Sequence, residues 1–193
     1  AGDRNIPVEV AQLTDSLKKQ SAPDRRVALL DVDYSFSDKN VMLRGVTTSA
    51  EAKNALLKEL ARKGYAVMDC LELLPDVKGL EGKTCGIINV SVANMRVAPD
   101  FSSEMMTQSL MGMPVRVLQR DGWVRIQTPD NYIAWVHRVG VHPVTEEEMA
   151  AWNKAEKIVV TAHYGFVYSE PNQTSQTVSD VVAGNRLKWE GSK

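Results

Sequence analysis

By type, five side chains in this sequence could do nucleophilic or metal chemistry: Cys70, Cys85, His137, His142 and His163. A cysteine–histidine hydrolase needs its thiol and imidazole within hydrogen-bond reach of each other. Cys70 lies in the strand-like run "VMDCLELL", and the histidines lie in later segments that hold no thiol. No catalytic residue is therefore assigned, and the chain as it stands is not expected to turn over substrate. Nothing near the cysteines completes a four-ligand metal set, so no metal and no cofactor are expected. The two thiols read either as independent buried groups or as one disulfide, Cys70–Cys85, which would need an oxidising compartment. The acidic run Glu146, Glu147 and Glu148 is the other chemistry-bearing cluster. It follows Thr145 and favours the positive end of a helix, so it reads as capping rather than as a metal site.

The composition narrows the classes. The chain has 193 residues, 44% of them hydrophobic and 24% charged, enough to bury real cores. A net charge of −1 and only 6% aromatic residues argue against a nucleic-acid partner, which wants a basic surface and stacking platforms. No apolar run approaches the roughly 18 residues of a membrane span.

The stretch "PVEVAQLTDSLKKQ" places Val10, Leu13 and Leu17 at helical spacing behind Pro7. Leu30, Val32, Tyr34 and Phe36 alternate with polar residues, as a half-buried strand does. "VMLRG" is a second strand. Thr48 and Glu51 form a capping box before a helix that lines up Ala52, Ala55, Leu56 and Leu60 and stops at Gly64. "YAVMDCLEL" is a third strand, which gives the order α-β-β-α-β.

From Ile87 the pattern turns all-β. "MPVRVLQ" alternates, Asp121-Gly122 marks a tight hairpin, and "WVRIQT" and "YIAWVH" follow as short strands. Trp123 and Trp135 are expected to be largely buried. The stretch then repeats: Pro99 and Pro171 stand 72 residues apart, as do Ser103 and Ser175, and Gly112 and Gly184. At the same offset Leu110 matches Val182, Val115 matches Leu187 and Val117 matches Trp189, so apolar lies over apolar. A short helix over about 145–156 separates the copies. Lys193 would match Asp121, so the second copy is expected to lack its last strands, either cut short or completed by another chain.

Three stretches carry a family resemblance. "VMLRGVTTSAEAKNALLKELARKGYAV" resembles a BON-like domain, a type tied to envelope surfaces and self-association. Asn94 to Arg96, Pro99, Gly112 to Val117, Trp123 to Ile126 and Tyr132 to Val136 together resemble a bacterial SH3 (SH3b) domain, with Asn131 and Ala134 where that family often has Gly. Two SH3b copies joined by a short helix resemble the non-catalytic front of NlpC/P60 cysteine peptidases, whose Asp-Cys-Ser-Gly nucleophile motif this sequence does not contain. The resemblance implies an α+β chain: a BON-like α-β-β-α-β domain over 1–78, an SH3-like barrel over 86–144, a linker helix over 145–157 and an incomplete second barrel over 158–193.

The same resemblance implies a function. The chain would be the substrate-recognition region of a γ-D-glutamyl-diamino acid endopeptidase acting on murein peptides, with a catalytic domain following it. The partner would be a peptidoglycan-derived peptide with a free N-terminal L-Ala. In the family a Glu of the loop after the first strand and a Tyr of the late strand read that amine, and the matching residues here are Glu104 and Tyr132, with Asp100 a weaker candidate. The expected location is the cell envelope, periplasmic or secreted, with a signal segment already removed. The other reading is an SH3b protein that binds peptidoglycan or envelope components without chemistry.

Overall fold

The computed structural model describes residues 6–191, and the chain divides into two compact units, one ending at Asp76 and the other beginning at Val77. The first unit follows the expected order. Helix α1 (Val8–Ser21) starts behind Pro7, strands β1 (Leu30–Ser37) and β2 (Asn40–Thr47) form an antiparallel hairpin, and helix α2 (Ala50–Arg62) crosses over to β3 (Ala66–Leu73). Strand β3 lies parallel to β2, as a helical crossover permits, and the sheet order is β1-β2-β3. Alternation does the sorting. Tyr34, Val41, Leu43 and Leu71 point at the helices and pack with Val10, Leu56 and Leu60. Asp69 shares that helix-facing side, and Lys53 of α2 meets it at 2.9 Å. Cys70, the next residue, falls on the open face opposite Arg44 and is exposed.

The ends of α2 show one expectation corrected and one met. The N-cap is Ser49, whose hydroxyl accepts from Ala52 N at 3.1 Å. Thr48 is not the cap because its hydroxyl is already committed, accepting from Leu29 N at 3.0 Å. At the other end Gly64 has φ +85°, Gly64 N donates to Ala61 O and Tyr65 N donates to Leu60 O. Those two bonds are a Schellman closure, and the left-handed residue it requires is the glycine.

The second unit carries a seven-stranded sheet in the order β10-β4-β7-β8-β9-β5-β6. Its strands are β4 (Cys85–Ile88), β5 (Val92–Arg96), β6 (Met105–Leu110), β7 (Pro114–Asp121), β8 (Trp123–Gln127), β9 (Ile133–His137) and β10 (Val141–Val144). Strands β6 and β10 have no clean alternation, so periodicity does not mark them in the sequence. They form the two edges, and among the described residues no ladder joins them, so the expected closed barrel is an open sheet. Its core holds Ile88, Met95, Val117, Val124, Ile126 and Val136. Trp123 and Trp135 are only half-buried, contrary to expectation. The reason is register: Val124, Ile126 and Val136 take the inward positions, and Trp123 pairs with His137 and Trp135 with Arg125 on the opposite face.

The 72-residue repeat is structural. Helix α3 (Glu146–Lys154), capped by the Thr145–Glu148 box, leads into β11 (Lys157–Val159), β12 (Tyr164–Tyr168), β13 (Thr177–Val182) and β14 (Arg186–Lys188). Strands β5 and β6 pair from Val92↔Leu110 with a shift at Met95/Arg96, and β12 and β13 pair from Tyr164↔Val182 with a shift at Val167/Tyr168. Likewise Cys85↔Arg116 on β4 and β7 becomes Lys157↔Lys188 on β11 and β14. The copies meet at a polar seam, where buried Asn185 donates to Ser91 O at 2.8 Å and accepts from Val182 N at 2.9 Å. Gly112, at φ +83°, lies against this seam; a Cβ there would meet Arg186 O at 2.3 Å.

The copies differ in how well their apolar residues are covered. Val117 is fully buried, whereas its counterpart Trp189 is 41% exposed. Amides of β12, β13 and β14 are therefore expected to exchange faster than those of β5, β7, β8 and β9 in a hydrogen-exchange experiment; uniform protection would contradict this. In the first unit, burial raises the pKa of Tyr34, with the hydrogen bond to Thr14 acting the other way. The buried phenol is held neutral, so its contribution to stability is fully present below the ordinary tyrosine value of about 10 and is lost as pH rises through the raised one. Denaturant unfolding at about pH 8 and about pH 11 should show this loss, and Tyr34→Phe should reduce it while costing about 1 kcal/mol at the lower pH.

Candidate functional site

The loop from Val97 to Glu104 joins β5 to β6 and organises one face of the second unit. Val97 N donates to Glu104 O at 3.0 Å and closes its base. The Ser103 hydroxyl accepts from Ala98 N at 3.0 Å, and the Arg96 guanidinium donates to Ser103 O at 2.5 Å. At the tip, the Asp100 carboxylate accepts from Ser102 N at 2.7 Å and from the Ser102 hydroxyl at 2.9 Å. Those bonds hold its carboxyl below the usual aspartate range. Asp100 is thus a turn-former, as its weaker candidacy anticipated. The second copy confirms the role, since Asn172 accepts the same two bonds from Thr174 without a charge.

This closure lays Phe101 back over the outward face of the sheet. Its ring centroid lies 4.8 Å from Trp123 and 5.1 Å from His137, and those two rings meet edge-on at 5.3 Å. One row further along, Trp135 lies beneath the Arg125 guanidinium at 5.1 Å and pairs with Arg96 across the ladder. Neither the aromatic corner nor Arg96 was singled out from sequence as a ligand contact. The usable signal was the Asp121-Gly122 turn: it fixes Val124 and Ile126 inward and therefore Trp123 outward.

The two residues implied by resemblance lie at one end of this sheet. Arg96↔Trp135 is an antiparallel pair, so the loop after β5 runs beside the start of β9. Glu104 sits at the base of that loop, its side chain exposed. Tyr132 sits just before β9, half-buried, in a turn tied by Tyr132 N to the Thr128 hydroxyl at 3.0 Å and Thr128 N to Tyr132 O at 3.0 Å. Asn131, in that turn, has φ +69°, which explains why a glycine-like position tolerates Asn here. Ala134 is buried at 2% exposure and serves the core.

The remaining chemistry-bearing residues stay apart. His142 and His163 are exposed, and among the described residues no group of three His, Cys, Asp or Glu could hold a metal. Both cysteines are free thiols in the structure, Cys70 exposed in the first unit and Cys85 half-buried in the second. The Cys85 thiol is pushed up by burial and then by Glu146, which disfavours the thiolate. No described helix is long and apolar enough to cross a membrane.

Comparison with known proteins places a similarity on this face. The family described as the bacterial dipeptidyl-peptidase Sh3 domain matches residues 95–139. No curated protein matches. Among solved structures, an NlpC/P60 family protein from Bacillus cereus is 19% identical, with 56% of this chain and 48% of that one covered and a TM-score of 0.45. An NlpC/P60 endopeptidase from Photobacterium damselae subsp. piscicida is 11% identical, with 96% of this chain and 47% of that one covered and a TM-score of 0.47. The chain spans about half the length of each of these two proteins. Residues 95–139, which hold the loop, the aromatic corner, Glu104 and Tyr132, are thus the part of the chain similar to a bacterial SH3 domain.

Proposed function

We propose that this chain is a non-catalytic recognition region for cell-wall peptides, belonging with an NlpC/P60-type γ-D-glutamyl-diamino acid endopeptidase. The observation that carries the reading is that the matched SH3 segment contains both Glu104 and Tyr132, at the same end of one sheet. The ligand end they would read is a free L-Ala amine, mostly charged at neutral pH. A carboxylate accepts its N–H groups, and the phenol oxygen can accept one more. Glu104 has no acidic counterpart in the second copy, where Gln176 stands at the equivalent position. The first unit, with the element order of a BON-like domain, would serve attachment or self-association at the envelope, and the chain would act in a periplasmic or secreted setting.

The amine contact is tested on the chain itself. Because Glu104 is exposed, one charge pair there is worth about 1 kcal/mol. Glu104→Gln should therefore weaken binding of L-Ala-γ-D-Glu-L-Lys by about fivefold in a nuclear magnetic resonance titration. It should leave the weaker binding of the N-acetylated peptide unchanged. Equal affinity of variant and parent for the free-amine peptide would refute the assignment. An exported chain would also meet oxidising conditions, under which a Cys70–Cys85 bridge leaves no titratable thiol in the denatured, air-oxidised protein; two thiols would remove the bridge from the account.

A further inference from the structure

We infer that the corner formed by Phe101, Trp123 and His137 is a second binding site, separate from Glu104 and Tyr132, for an apolar peptide side chain that neighbours a carboxylate. A cavity of about 200 Å³ opens beside these rings, with Val92 and Val136 in its lining. Sites for drug-sized ligands run from about 300 Å³ upward, so this one has room for about one side chain. Phe101 is 67% exposed although its ring touches two others, which leaves a large apolar surface at the mouth. The shape decides between ligand classes. A sugar ring stacks on a flat aromatic face, but here Trp123 and His137 meet at 84° and Phe101 is tilted 59° from Trp123. Such a corner encloses a branched aliphatic group better than a ring.

The polar rim decides the charge. Arg96 and Asn94 belong to the lining, and no carboxylate does. Ser103 O takes one Arg96 N–H, and a guanidinium carries five. The Asn94 carbonyl accepts from the Gln108 amide at 2.9 Å, which leaves the Asn94 NH₂ as a donor. Asp100 is bonded chiefly to Ser102, and Arg96 acts on it only as the smallest of the favourable influences on its carboxylate. The rim is therefore rich in donors, and a ligand carboxylate is the group that matches it. The repeat supports a dedicated role: at the positions of Arg96 and Phe101 the second copy has Tyr168 and Gln173, although the loop bonds are retained.

Titrating the full chain with N-acetyl-Leu-Glu-amide, N-acetyl-Leu-Gln-amide and chitotriose, followed by ¹H–¹⁵N spectra, tests this. The acetyl caps remove the free amine, so the outcome is independent of the Glu104 and Tyr132 reading. The Leu-Glu peptide should move the Trp123 indole N–H and bind about tenfold tighter than the Leu-Gln peptide. Arg96→Gln should erase that difference. Phe101→Ala, at an exposed position that leaves the fold intact, should weaken both peptides by about fivefold. Equal affinity of the parent chain for the two peptides would overturn the proposal, as would an unmoved Trp123 indole or a response to chitotriose alone.

Discussion

The hydroxyl of Ser103, bonded to the backbone N–H of Ala98, is the constraint from which the arrangement of this face follows. An eight-residue connection between antiparallel strands has many conformations, and closing it costs entropy that a few well-placed bonds must offset. Here one side chain spans the loop, the Arg96 guanidinium grips the same residue's carbonyl, and the Asp100–Ser102 turn sets the tip. Once closed this way, the loop folds back over the sheet, and Phe101 reaches the Trp123–His137 pair. The same closure leaves Glu104 at the loop base, at the end of the sheet where β9 begins.

The repeat separates fold from function within a single chain. Ser175 bonds Glu170 N and Asn172 bonds Thr174 just as Ser103 and Asp100 bond their partners, so the loop geometry belongs to the fold. The side chains that could touch a ligand do not recur. Arg96 becomes Tyr168, Phe101 becomes Gln173 and Glu104 becomes Gln176. Two loops of one shape therefore carry different chemistry. The first loop has an arginine before it, a phenylalanine at its tip and a glutamate at its base; the second has a tyrosine and two glutamines at those positions. The second copy instead supplies packing: Asn185 and the Arg186 backbone meet the turn around Gly112 and the strand start at Ser91.

Much of the fold was legible because alternation and capping are local. The β1 pattern, the Gly64 stop, the Thr145–Glu148 box and the repeat could all be read from spacing alone. The misreadings have physical causes. Thr48 has the type and spacing of a cap, but the backbone N–H of Leu29, just before β1, occupies its hydroxyl, and Ser49 caps the helix instead. Trp123 and Trp135 are half-buried rather than core because strand parity, set by Val124 and Ile126, turns them to the outward face. Strands β6 and β10 gave no signal because short edge strands lack a full alternating face. The site was less legible. Glu104 and Tyr132 come from resemblance, and no local pattern marks them. The aromatic corner depends on a loop folding back across many residues of sequence, a contact that spacing cannot show.

Both proposed binding sites require the Val97–Glu104 loop to be folded onto the sheet in solution. The most direct measurement is a nuclear Overhauser spectrum of the full chain with Phe101 selectively labelled. The account predicts strong cross-peaks from the Phe101 ring protons to the Trp123 indole and the His137 imidazole, with Phe101 ring shifts displaced from random-coil values. Random-coil shifts and no cross-peak to either ring would contradict it.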